Sequence, residues 1–186
     1  MADFTLSSGS ICRPFRSPWG AFPTMGRTVS TGVSSAAIYM GRVVTLDFTE
    51  SDPSSNHGHV KASTVNGFHY GVGIAAELQS GSTAVAGTAI SVWEANPMVE
   101  FQAVTKGGTL QSSQVGLTKT LQWDSTLNIQ WVDLGASTAA DHRVVITQLL
   151  DAQGDSGGMV AFRFLSDRRH QGSTVNSSTP YLAFYR

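Results

Sequence analysis

The sequence predicts an all-β protein: a β-sandwich or small β-barrel with an extended N-terminal arm and very little helix. Three observations carry this. Runs of β-branched and aromatic residues recur between Gly, Pro and Asn turn signals. No amphipathic stretch reaches the 12 or so residues that a self-supporting helix needs. Three of the six prolines fall in the first 30 residues, where they forbid a helix or a central strand.

The elements follow in chain order. Residues 1–27 read as an arm. Pro14, Pro18 and Pro23 keep it extended, Phe4, Phe15, Trp19 and Phe22 make it apolar, and Arg13, Arg16 and Arg27 make it basic. Such a segment is a poor solvated tail, so it lies in a groove, either on another chain or around its own core. Phe15, Trp19 and Phe22 are its candidate apolar anchors, and Arg13 and Arg16 its polar clamps. Residues 28–186 read as a single all-β domain. Strands are expected at Ile38–Phe48, Thr88–Trp93, Val99–Val104, Thr126–Leu134, Arg143–Leu150, Met159–Leu165 and Tyr181–Tyr185. Val99, Phe101 and Ala103 alternate with Glu100 and Gln102, the pattern of a strand buried on one face. Glu94 and Glu100 read as solvent-facing. Ile74–Leu78 and Gly116–Gln122 read as one or two helical turns, Ser51–Gly58 and Gln171–Ser178 as polar loops. No internal repeat is visible. Deleting residues 1–26 is expected to leave the domain soluble.

Composition narrows the function. At 186 residues the chain buries about 70% of its unfolded surface, and 41% hydrophobic content supplies a core. Charged residues reach only 13%, against about 25% in ordinary soluble domains. Small polar residues replace them: 23 Ser, 18 Thr and 19 Gly. A secreted β protein, or a subunit whose surface is covered by neighbours, would tolerate this. The net charge of −1 argues against a strongly basic nucleic-acid binder. The single Cys12 leaves no intramolecular disulfide and no Cys-rich zinc site. No apolar run is long enough to span a membrane as a helix, and Met1–Ser10 lacks the basic and apolar regions of a secretory signal.

Two motifs suggest chemistry. Gly154-Asp155-Ser156-Gly157-Gly158 spells the nucleophile signature of chymotrypsin-like serine proteases, and Ala139-Ala140-Asp141-His142 resembles their histidine segment. In that reading Ser156 attacks, His142 takes its proton, and the amides around Ser156 hold the oxyanion. The spacing opposes it. His142 and Ser156 flank one expected strand, whose eight residues would part them by about 26 Å. His57, His59 and His69 lie further off in the chain, none in an Ala-Ala-His setting. The pentapeptide therefore reads as a Gly-rich hairpin loop. His57-Gly58-His59 has no third ligand in a metal-binding pattern and reads as a solvated pair. No cofactor loop is present. Trp19, Trp93, Trp123 and Trp131, with the four tyrosines, could form a carbohydrate platform, but their even spread suits core and interface anchors better.

A resemblance adds to this. Val92-Trp93-Glu94-Ala95-Asn96-Pro97-Met98-Val99-Glu100-Phe101-Gln102-Ala103 is followed by a Gly-rich turn and Ser112-Ser113-Gln114-Val115-Gly116-Leu117. Asp133 to Ala140, Val144 to Leu150 and Ala161-Phe162-Arg163-Phe164 come after. This order, over residues 92–171, resembles head-structural proteins of tailed bacteriophages, particularly marine and cyanobacterial ones, which are taken to be capsid decoration (cement) proteins. The resemblance implies an all-β virion protein without a catalytic site, cofactor or metal. It implies binding to the major capsid protein on the outer capsid surface, as a homotrimer or sometimes a dimer, with no nucleic-acid or membrane partner. It also implies an N-terminal arm laid across neighbouring subunits. A tail- or fibre-associated carbohydrate-binding protein is the alternative expectation, and a trypsin-like serine hydrolase a remote one.

Overall fold

The structure, a computed structural model, describes residues 11–29, 38–46, 59–63, 71–78, 87–135 and 143–165. Their regular structure is eleven strands and one 3-10 turn, Ser112–Gln114, so the protein is all-β. β1 (Arg13–Arg16) precedes two groups of five. The first is β2 (Thr24–Val29), β3 (Val43–Leu46), β4 (His59–Ala62), β5 (Gly71–Ala75) and β6 (Ala89–Glu94). The second is β7 (Glu100–Lys106), β8 (Thr118–Asp124), β9 (Ile129–Asp133), β10 (Arg143–Leu149) and β11 (Met159–Phe164).

Each group closes on itself, and both close in the same way. The first barrel runs β2-β4-β3-β5-β6, with β2 and β4 parallel and every other neighbour antiparallel, β6 returning to β2. The second runs β7-β9-β8-β10-β11, with β7 and β9 parallel and the rest antiparallel, β11 returning to β7. Strands β2 to β6 thus correspond one for one with β7 to β11. The molecule carries an internal repeat of topology that no repeat of residues announces. The expectation of no repeat is corrected on this point. Pairing order depends on which face each strand buries, and many residue sets bury the same face.

The cores differ in kind. Among the described residues, the first barrel buries Val29, Ile38, Val44, Val60, Ala62, Ala75, Ile90 and Val92, all aliphatic. The second is built around three phenyl rings. Phe101 stacks on Phe162 at 6.0 Å, and Phe164 meets both edge-on at 5.2 and 5.7 Å, the geometry the ring quadrupoles favour. Cys12, Val43 and Ile74 belong to this second cluster, although they lie before the second barrel in the chain. The buried Gln130 side chain of β9 accepts the Val43 N–H of β3 at 3.2 Å. Trp123 of β8 stacks on Tyr39 at 5.7 Å and carries the Arg42 guanidinium 4.5 Å over its ring. The barrels therefore share apolar burial and polar contacts.

Several expectations change. Ile74–Leu78 and Gly116–Gln122 do not form helical turns, because β5 and β8 run through them. At Gly73 a Cβ would overlap the Trp93 carbonyl, so this position serves close strand approach. β7 is buried on both faces, not one. The expected boundary between residues 27 and 28 falls inside β2, and β1 is paired to β7 of the same chain. Deleting residues 1–26 would remove half of β2 and open the first barrel, so a soluble truncated domain is no longer expected. The expected strand Tyr181–Tyr185 and the loops Ser51–Gly58 and Gln171–Ser178 lie outside the described residues.

Candidate partner-docking site

The site grows from the segment that the sequence marks as an arm. Ile11 and Cys12 lead in, and Cys12 is fully buried. Its thiol is pushed far above the ordinary range by burial, so it packs as a small apolar group rather than acting as a nucleophile. β1 then lies antiparallel on β7, with Arg13 opposite Gln102, Pro14 opposite Phe101 and Arg16 opposite Glu100, and a bulge between Pro14 and Arg16. A proline is tolerated here because β1 is an edge strand. β7 offers this edge because β9 pairs only with its far half, Val104 to Lys106.

Ser17-Pro18-Trp19-Gly20 then forms a tight turn, closed by the Gly20 N–H donating to the Ser17 carbonyl at 3.3 Å. Proline at the second position presets that turn. The Ser17 hydroxyl also accepts the Trp19 N–H at 3.3 Å. Downstream, the Pro23 carbonyl accepts the Glu94 N–H at 3.0 Å, which starts the pairing of β2 with β6. Both ends are thus fixed to sheets, and the side chains between them point outward. Trp19 is 58% exposed and Phe22 39%. Beneath them lies a cleft of about 400 Å³ lined by Arg13, Pro14, Phe15, Phe22, Trp93 and Gln102.

Charge is arranged around one buried carboxylate. Glu100 is 5% exposed, which corrects its expected solvent-facing position. Arg163 of β11 donates to it at 3.0 Å, and Arg16 approaches its other oxygen at 3.7 Å. A carboxylate buried here needs such partners, because removing one strands the charge. Arg16 also lies 5.4 Å over the Phe15 ring. Arg13 is exposed and forms no ion pair among the described residues.

Of the five residues singled out in the sequence, Arg13, Phe15 and Phe22 line the cleft, Trp19 projects from the turn, and Arg16 bridges to Glu100. Trp93, Gln102, Glu100 and Arg163 were not foreseen as part of this region. The alternation across Val99–Val104 put Glu100 and Gln102 on one face, but only tertiary pairing shows what covers it.

The protease-like pentapeptide lies elsewhere, at the tip of the β10–β11 hairpin. Part of its backbone is hydrogen-bonded to neighbouring segments. The Gly154 N–H donates to the Leu110 carbonyl at 2.8 Å, and the Asp155 carbonyl accepts the Leu110 N–H at 2.9 Å. Ser156 bridges to Thr109, and the Gly158 carbonyl takes both the N–H and the hydroxyl of Thr105, at 2.9 and 2.8 Å. Gly154 and Gly157 have φ of 98° and 75°, and a Cβ on Gly158 would meet Leu110 at 2.6 Å. Chain geometry accounts for all three glycines. His57, His69 and His142 lie outside the described residues, and His59 is in β4. Among the described residues no group of three potential ligands could hold a metal ion. No family model matches the chain, and no curated protein matches it.

Proposed function

We propose that this is a structural virion protein, a capsid decoration protein that binds the outside of the major capsid protein lattice through the surface formed by Arg13, Phe15, Trp19 and Phe22. The observation that carries the reading is the exposure of Trp19 and Phe22 beside a cleft, on a segment anchored at both ends. Aromatic and arginine side chains of this kind are the usual anchors of protein interfaces. Held by sheets on both sides, they are positioned before binding and lose little freedom on contact. The low charge of the chain fits a surface that is covered on assembly. A homotrimer, or a dimer, would repeat the site, and a shell would multiply it again, so a weak single contact suffices. In this reading the protein is not an enzyme and uses no cofactor, and the GDSGG segment is a latch between loops.

The test is co-sedimentation of the purified protein with expanded, undecorated capsids, with its oligomeric mass measured by light scattering. Saturable binding at a fixed ratio to the capsid protein is expected. The Trp19→Ala/Phe22→Ala variant should stay folded and lose about a hundredfold in affinity, as expected for two anchors at about 1.4 kcal/mol each. Absence of wild-type binding would overturn the reading. Tryptophan quenching by sugars would then favour a tail- or fibre-associated glycan binder, since the same exposed Trp19 offers a ring face to a sugar.

A further inference from the structure

We propose that the outer edge of β1 is a strand-addition site for an extended acidic segment of a partner protein, with carboxylates facing Arg13 and Arg16 and an apolar side chain entering the cleft between Phe15, Phe22 and Trp93. This deepens the docking reading above and rests on it for the location of the partner.

The argument begins with edges. Every strand from β2 to β11 has a neighbour on both sides within its ring, although some of these pairings are short: β2 meets β4 only at Thr28 and Val29, and β9 meets β7 only from Val104 to Lys106. β1 is the exception. It pairs with β7 and, among the described residues, with no other strand. Among the described residues nothing pairs with its outer backbone N–H and C=O groups, the groups that strand addition uses. The edge is short, and Pro14 contributes no N–H, so strand addition here is brief and needs side-chain contacts to hold it.

Charge then selects the occupant. A second copy pairing antiparallel about the middle of β1 would set Arg13 opposite Arg16 and Arg16 opposite Arg13. Like charges directly opposite each other destabilise a strand pair. The edge thus disfavours its own copy. The one carboxylate nearby, Glu100, is buried against Arg163 and Arg16, while Arg13 is exposed without an ion-pair partner among the described residues. An incoming carboxylate meets net positive charge and a planar guanidinium suited to it. The cleft beside the same residues has apolar walls in Phe15, Phe22 and Trp93 and is also lined by Arg13, so it takes an apolar residue that shares a face with the incoming carboxylates.

The experiment uses the full chain and a blocked, labelled peptide of alternating glutamate and valine with phenylalanine in place of the central glutamate, read by fluorescence anisotropy. Three counterparts accompany it: a lysine-for-glutamate peptide, and two glutamate peptides N-methylated at alternate residues in opposite phases. Binding of the glutamate peptide, rejection of the lysine peptide, and loss of at least about tenfold in affinity for one N-methyl phase but not the other are expected. Phase dependence distinguishes strand addition from side-chain attraction alone. Arg13→Glu should weaken the glutamate peptide by about tenfold and admit the lysine peptide. Failure of the glutamate peptide to bind, equal binding of both N-methyl phases and the parent, or an unchanged Arg13→Glu profile would each overturn the inference. The capsid assay separates the two readings. Wild-type binding that Arg13→Glu leaves unaffected overturns strand addition and confines the docking reading to the aromatic anchors, which the Trp19→Ala/Phe22→Ala variant tests. Failure of the wild type on capsids overturns the docking reading, and the peptide series then decides strand addition by itself.

Discussion

The two barrels have one topology and different means of support. In the second, β8 and β9 are joined by residues 125–128 alone, whereas residues 47–58 separate their counterparts β3 and β4. That short hairpin is specified locally. Asp124 accepts the N–H groups of Thr126 and Leu127, both at 2.9 Å, and Asn128 takes a left-handed φ of 54°, a conformation asparagine tolerates. The second barrel also holds the three-ring phenylalanine core. Among the described residues the buried core of the first is aliphatic and of modest size, with Met25 packed against it, and it lends Val43 and Ile74 to its neighbour's cluster. A shared strand order thus does not imply a shared core, and because Val43 and Ile74 are buried in the cluster of the second barrel, the first is expected to depend on the second.

The largest effect should come from removing the aromatic core. Phe162→Ala is expected to cost about 3–5 kcal/mol and to destabilise both barrels together, seen as one coincident loss of tryptophan fluorescence and far-UV circular dichroism in denaturant. Loss of the second barrel with the first intact would break the claimed dependence. Gly73→Ala is the counterpart in the first barrel. The new methyl collides with the Trp93 carbonyl, and a cost of about 3 kcal/mol is expected. Amide hydrogen exchange should show β2, β5 and β6 exposed in this variant while β7, β10 and β11 stay protected.

The junction is sharpened by Gln130→Leu. It leaves the Val43 N–H buried without its acceptor, which costs about 1–3 kcal/mol. If the barrels are coupled there, unfolding becomes less cooperative and the denaturant slope falls. The smallest effect concerns Asp124. Its hydrogen bond from Lys106, helped by the turn amides, holds its carboxyl below the ordinary range. A carboxyl lowered in the folded state stabilises above its unfolded value of about 3.9, and that contribution is lost as pH falls through the folded value. Asp124→Asn should cost on the order of 1 kcal/mol at pH 7 and flatten the acid limb of a stability-against-pH curve. An unchanged acid limb would show that the hairpin does not depend on this charge.

Much of this was legible in the chain. The strands at Thr88–Trp93, Val99–Val104, Arg143–Leu150 and Met159–Leu165 coincide closely with β6, β7, β10 and β11, because β-branched and aromatic runs between turn residues are a local signal. The hairpin nature of Gly154–Gly158 was likewise readable from the spacing of its flanking strands. The turn at Ser17-Pro18-Trp19-Gly20 was not read from the sequence, which took the prolines of residues 1–27 as keeping the segment extended. Tertiary structure decided the rest. β5 and β8 became strands because neighbours on both sides completed their hydrogen bonds, which local propensity does not record. Glu100 became a buried group because Arg163, distant in sequence, lies beside it. The N-terminal segment joined the sheets because β9 leaves half of β7 unpaired. Above all, the doubling of the barrel is a property of pairing order. Residue types determined that this chain would build strands and present aromatics near its N-terminus. Only closure, in which strands find neighbours on both sides, determined that there are two barrels and that β1, among the described residues, has a neighbour on one side alone.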